Sequence, residues 1–248
     1  MTQVLLLGGT FDAHVLSNLL HEAGVPAIYS YAGATQTRRL PALPMRVGGF
    51  GGVRGLLQYL RAHRISHVID ATHPFAAQMS ANAIAACAEA GVPLLSMERP
   101  AWQAHAQDRW IHVPDMAAAA CMLRPEFQRV FLAIGRKQLA AFAGKTDARR
   151  FVLRVIDQLE EDLPLPASSY ELIVARGPFQ LGDELELLKQ RAIDCIVSKN
   201  AGGADTYAKI EAARALGIPV IMVDRPLLTR REQCQTPQQA MDWLRQTR

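Results

Sequence analysis

AGVPLLSMERP (residues 90–100) and LGIPVIMVDRP (residues 216–226) are one pattern written twice. Each reads as a helix end, a glycine, an apolar–proline step, an apolar run and an acidic–Arg–Pro stop. Helix–Gly–x–Pro–strand is ordinary punctuation in α/β chains, so one match decides little. The register decides. A single shift of 126 residues carries Val4, Leu6 and Gly9 onto Val130, Leu132 and Gly135. It also carries Ile84, Ala86, Gly91 and Pro93 onto Ile210, Ala212, Gly217 and Pro219, and Arg99-Pro100 onto Arg225-Pro226.

Around this repeat, short apolar runs alternate with helical patterns. Strands are expected at 4–7, 27–30, 67–70 and 93–96, and near 130–134, 151–155, 171–175, 193–198 and 219–223. A first helix would turn Phe11, Val15, Leu16, Leu19 and Leu20 to one side, a second would end near His63, and a third would run over about 75–90. Such alternation calls for parallel sheets covered by helices. The expectation is an α/β chain of two similar doubly wound parallel-sheet domains, residues 1–124 and 125–248, with a ligand cleft between them.

The 248 residues are 50% hydrophobic and 20% charged, a globular composition. Net charge is +4, with no Lys/Arg run or interleaved aromatic patch, which argues against nucleic acid and suits a small anionic ligand. Cys87, Cys121, Cys195 and Cys234 are far apart and form no C-x-x-C pair, so a reducing, cytoplasmic setting is expected. MTQVLLLGGT lacks a basic leader and reads as a first strand, and no stretch is apolar enough for a membrane helix. The histidines all lie in the first half, without the spacing a zinc site needs, and there is no G-x-S-x-G elbow. No metal is expected.

Four loops carry candidate chemistry. GGTFDA (8–13) opens the first helix, where Gly8, Gly9 and Thr10 make either a dinucleotide phosphate cradle or only a tight turn. RVGGFGG (46–52) concentrates Gly48, Gly49 and Gly51 beside Arg46; it suits a phosphate or flat ring, or is a flexible connection. After the second strand stand Tyr29, Ser30 and Tyr31 and then Arg38 and Arg39, with no carboxylate for a ribose 2′-OH. That favours a 2′-phosphate and hence NADPH, unless the arginines are merely solvated. In DATHPFAA (70–77), Thr72 or His73 could cap a helix with Pro74 in its first turn, or the turn could face a ligand beyond the strand end.

The second half gathers Arg136, Arg154, Arg176, Lys199-Asn200 and Lys209 near strand ends. Singly these are surface charges; converging on one rim they would hold a ligand with many carboxylates. Under the same shift Thr72-His73-Pro74 falls on Ser198-Lys199-Asn200, so equivalent turns carry different chemistry.

GGTFDA, the Ser30–Gly33 stretch, RVGGFGG, DATHPFAAQMSANA, RPAW, DRW, IGR, ARGPF and KNAGGADTYAKI stand here in the order seen in precorrin-6A reductases, which the chain resembles from residue 3 to about 226. The resemblance implies two Rossmann-like domains and NADPH-dependent reduction of a corrin precursor in cobalamin biosynthesis, with a hydride to C19 and a proton to C18. A reductase of the cobalt-containing ring is the alternative, and a non-catalytic nucleotide- or tetrapyrrole-binding protein is the non-enzyme one. It implies coenzyme contacts at Gly8, Gly9, Thr10, Ser30, Gly33, Arg38, Arg46, Gly48, Gly49, Gly51, Pro74 and Phe75. Thr72 and His73 would position or protonate at the reacting centre. Ring carboxylates would meet Arg136, Arg154, Arg176, Lys199, Asn200, Gly202, Gly203, Thr206 and Lys209. Besides the multi-carboxylate ring, neighbouring pathway enzymes are candidate partners. Related sequences usually have Glu where Asp12 stands, and many have Arg in place of Ala34, leaving Arg38 or Arg39 for the 2′-phosphate.

Overall fold

The computed structural model describes residues 2–33, 40–146, 149–156 and 162–247. Its elements run β1 (Val4–Leu7), α1 (Phe11–Glu22), β2 (Ala27–Tyr31), β3 (Met45–Val47), α2 (Gly52–Ala62), β4 (His67–Asp70), α3 (Ala77–Ala90) and β5 (Leu94–Met97). There follow β6 (Trp110–Val113), α4 (Met116–Cys121), β7 (Arg129–Ala133), β8 (Arg150–Val155), β9 (Tyr170–Val174) and α5 (Leu181–Gln190). The chain closes with β10 (Cys195–Lys199), α6 (Ala208–Leu216), β11 (Val220–Val223), β12 (Glu232–Cys234) and α7 (Pro237–Gln246). A 3-10 segment, Arg136–Lys145, replaces a helix between β7 and β8.

Two six-stranded sheets result, ordered β12-β5-β4-β1-β2-β3 and β6-β11-β10-β7-β8-β9, and every pairing between strands is parallel. In each sheet the strand order reverses beside the first strand of the half, between β1 and β4 and between β7 and β10, as in doubly wound folds. Val4–Leu7, His67–Asp70 and Cys195–Ser198 are buried throughout, because helices cover both faces of a parallel sheet.

The domain boundary expected at 124/125 is corrected. One compact unit is Met1–Pro100 with Leu227–Arg248, and the other is Ala101–Pro226. Each half has five strands in the same order and then one extra strand with a helix. The extra strand of the first half, β6, pairs with β11 (Trp110↔Val220), while that of the second, β12, pairs with β5 (Glu232↔Leu95). The sixth strands are exchanged, which no local pattern announces.

Two local expectations also shift. On α1 the buried stripe is Ala13, Leu16, Ser17 and Leu20, with Phe11 turned outward. The α3 helix starts at Ala77 with Ala76 at its N-cap, so neither Thr72 nor His73 caps it and Pro74 lies before its first turn.

Candidate functional site

In the first unit, β1, β2, β3 and β4 end on one rim, where the glycine loops and THPF emerge. Thr10 caps α1: its Oγ1 accepts from the Ala13 N–H (3.1 Å) and donates to the Ala71 carbonyl (2.9 Å). That bond ties the β1 turn to the β4 turn at the strand-order reversal. Gly8 is glycine for an internal reason, since a Cβ there would sit 2.2 Å from the buried Tyr29 ring. The Tyr29 hydroxyl accepts from the Gly9 N–H at 3.0 Å, and burial pushes its phenol up, keeping it a neutral partner.

Gly9 is the outward residue. Its φ of +122° suits glycine, and nothing lies within 4 Å of where a Cβ would be. Gly48 (φ +113°), Gly49 and Gly51 (φ +80°) are equally open. This is bare backbone against which a bulky ligand can lie.

Arg46, expected beside a phosphate or a flat ring, has its guanidinium turned onto the loop. It donates to Ser30 Oγ (2.8 Å) and to the Gly48 (2.9 Å) and Gly49 (3.0 Å) carbonyls, and stacks 3.8 Å over the Phe50 ring. It therefore shapes the glycine loop, and it occupies the Ser30 hydroxyl while doing so. Gly33 is exposed at φ +82°, beside Val47. Arg38 and Arg39 lie outside the described residues.

The THPF turn is held from below. Buried Asp70 accepts from the Thr72 hydroxyl (2.7 Å) and N–H (3.1 Å). His73 Nδ1 accepts from the Phe75 N–H at 3.2 Å, and the Ala76 N–H reaches the His73 carbonyl at 2.7 Å. The first bond places the proton of a neutral His73 ring on Nε2. Arg99, on the next loop, reaches Asp12 at 3.4 Å.

In the second unit the expected cations divide. Arg136 and Arg176 are exposed just past β7 and β9. Lys199 ends β10 with its ammonium lowered to about 8 by burial. Arg154 is not available to a ligand: its side chain and that of Glu184 are 8% and 2% exposed, and they form a bidentate ion pair, with Arg154 3.8 Å over Phe179. Lys209 is also interior. Its Nζ donates to the Thr206 carbonyl (2.6 Å) and lies 4.7 Å from the Trp102 ring, and burial, helped by nearby Arg154, lowers it to about 7.

Asn200 grips backbone rather than offering an amide outward. Its Oδ1 accepts from the Trp102 N–H (2.8 Å) and its Nδ2 donates to the Trp102 carbonyl (3.1 Å). Trp102 Nε1 in turn donates to the Gly203 carbonyl at 2.7 Å, and Gly202 and Gly203 turn the loop at φ +70° and +76°. Arg225 completes the loop through the Asn200 (3.0 Å) and Ala201 (3.1 Å) carbonyls. Thr206 contributes its carbonyl to Lys209. Sequence reasoning did not assign Tyr29, Trp102 and Arg225 as supports, although Tyr29 stood at the end of the second strand, Trp102 in the RPAW motif and Arg225 in the repeated Arg-Pro pair.

Burial pushes the Cys87 and Cys195 thiols up to about 12, so neither is a ready nucleophile. Among the described residues no cluster of three His, Cys, Asp or Glu side chains could hold a metal, and no helix is long and apolar enough to cross a membrane.

Two doubly wound units, one rimmed by bare glycine backbone and one by cations, define a two-sheet α/β protein of the doubly wound class. The chain belongs to the family described as Precorrin-6x reductase CbiJ/CobK, which it matches over residues 3–245, and it is an oxidoreductase. It is 50% identical over 244 residues to a precorrin-6A reductase of Rhodobacter capsulatus, covering 98% of this chain and 96% of that one. A cobalt-precorrin-6A reductase of Priestia megaterium is 30% identical over 232 residues, with 90% of each chain covered. The solved structure described as CobK precorrin-6A reductase superposes with a TM-score of 0.93 at 50% identity, covering 100% of this chain and 97% of that chain.

Proposed function

We propose that this chain reduces precorrin-6A to precorrin-6B with NADPH, the first unit holding the coenzyme and the second the ring's carboxylates. The observation that carries the reading is the division between the rims. A dinucleotide needs close backbone approach, which the open positions at Gly9, Gly48, Gly49 and Gly51 allow. A ring with many acetates and propionates needs cations, which Arg136, Arg176 and Lys199 supply.

The glycine rim suits a nucleotide coenzyme, because among the described residues nothing lies within 4 Å of where a Cβ would stand at Gly9, Gly48, Gly49 or Gly51. NADPH would supply a hydride for C19, with a proton reaching C18. The chain's residues position. Thr10 and Thr72 lock the two turns at the strand-order reversal. His73, with Nδ1 engaged by Phe75, presents its Nε2 side as the donor, and Pro74 and Phe75 fix the turn around it. Arg154, Asn200 and Lys209 stand behind the rim and shape it, while Arg136 and Arg176 grip carboxylates with paired N–H groups.

The test is anaerobic incubation of the protein with NADPH and metal-free precorrin-6A. One NADPH consumed per ring, with a product two hydrogens heavier, is the expected result. Reduction of the cobalt ring alone would move the assignment to the cobalt substrate. Turnover of neither ring would overturn the reading. His73→Ala should lower turnover about tenfold; a loss beyond about a thousandfold with coenzyme binding intact would make His73 an obligatory acid.

A further inference from the structure

At the edge of the second unit's sheet where the strands begin, a cavity of about 250 Å³ is lined by Arg129, Arg150, Phe151, Tyr170, Glu171 and Arg191. Arg129, Arg150 and Tyr170 are the first residues of β7, β8 and β9. Five residues at about 3.3 Å each put this edge roughly 16 Å from the carboxyl rim, so it is no part of the site above.

Arg129 and Arg150 are register partners on adjacent parallel strands, so both side chains emerge on the same face. Like charges placed directly opposite each other weaken a sheet. Glu171, partner of Val152 and so on that same face, is the cavity's acidic group, and it is taken by Arg191 at 2.7 Å. The Arg150 guanidinium donates to the Ser168 carbonyl. Among the described residues the Arg129 guanidinium makes no hydrogen bond or ion pair. Three guanidiniums line the cavity against Glu171, and with Asp194 held at the Arg129 N–H (3.0 Å) this edge still keeps an excess of positive charge.

We infer that this amino-edge cavity is a binding site for a compact dianion, a small molecule with two phosphate or carboxylate groups close together. Forked N–H pairs on neighbouring strands match two such groups. An anion between them removes the repulsion the register imposes. The site does not depend on the reading of the carboxyl rim.

Calorimetric titration of the full chain with pyrophosphate, and separately with citrate, tests it and distinguishes the two sources of charge. At least one probe should bind the wild type, and R129Q/R150Q should weaken that binding tenfold or more. R61Q/R245Q, exposed arginines on α2 and α7 of the first unit, should change it less than twofold. R129Q/R150Q should also unfold at the same or a higher temperature, since it removes like-charge repulsion; a purely structural arginine pair would unfold earlier. R129K/R150K keeps the charge without the forks and should weaken binding at least threefold, which carries the test should the glutamine pair not fold. No binding of either probe to the wild type, or unchanged binding in these variants, overturns the inference.

Discussion

Leu7 pairs with Asp70 in the first unit's sheet, and Ala133 with Ser198 in the second. One step beyond, at the strand-order reversal, stands Ala71 in one unit and Lys199 in the other, followed by Thr72 and Asn200. The repeat register of the sequence had set Thr72 on Ser198, two residues earlier, because the chain takes two more residues to reach β10 from β7 than to reach β4 from β1: Val4 pairs with His67, and Val130 with Cys195. At the true equivalence both turns are self-secured: Thr72 binds Asp70 below it, and Asn200 binds the backbone of Trp102. The difference is charge. One unit leaves neutral backbone at its rim; the other supports its rim with half-buried and buried cations. A duplicated scaffold can thus keep its supports while changing what it offers a ligand.

The comparison can be broken first at the buried pair. Glu184→Gln leaves Arg154 charged and uncompensated, and should cost about 3–5 kcal/mol of stability by chemical denaturation. Arg176→Gln should change stability by no more than about 0.5 kcal/mol while raising KM for the ring. Equal stability losses would mean the cations do not divide into inner and outer sets.

Asn200→Ala strips both Trp102 backbone groups of partners, at about 1–3 kcal/mol for each orphaned group. KM for the ring should rise with NADPH affinity unchanged. Gly8→Ala drives a methyl into the Tyr29 ring and should destabilise by about 1–3 kcal/mol. There the split is reversed, with NADPH affinity falling, as fluorescence titration would report.

The last effect is in pH. Burial lowers Lys199 to about 8, whereas an unfolded lysine titrates near about 10.4. Between those values the unfolded chain binds more protons, so stability should rise with pH from about 8 to 10.4. Below 8 both states are charged and the cost of burying the charge is present in full. Lys199→Met should flatten this rise in pH-dependent melting, and wild-type affinity for the anionic ring should fall as pH passes 8.

Much of the scaffold was legible in the chain itself. Apolar runs such as VLLL and HVID must be buried, glycines at Gly91 and Gly217 end helices in left-handed turns, and the repeat fixes two like sheets; these are short-range consequences of hydrophobicity and backbone sterics. The rim loops were legible too, because strand ends of parallel sheets are where such loops must emerge.

Tertiary structure decided the rest. It determined which sheet takes β6 and which takes β12, because edge pairing depends on long-range docking rather than local pattern. It turned Arg46 onto its own loop and Arg154 onto Glu184, since only the folded chain fixes which acceptors, near or distant in sequence, a guanidinium meets. It set Gly8 against Tyr29 and left Gly9 open. Residue type told which groups can bind; burial and partners decided which of them are left facing outward.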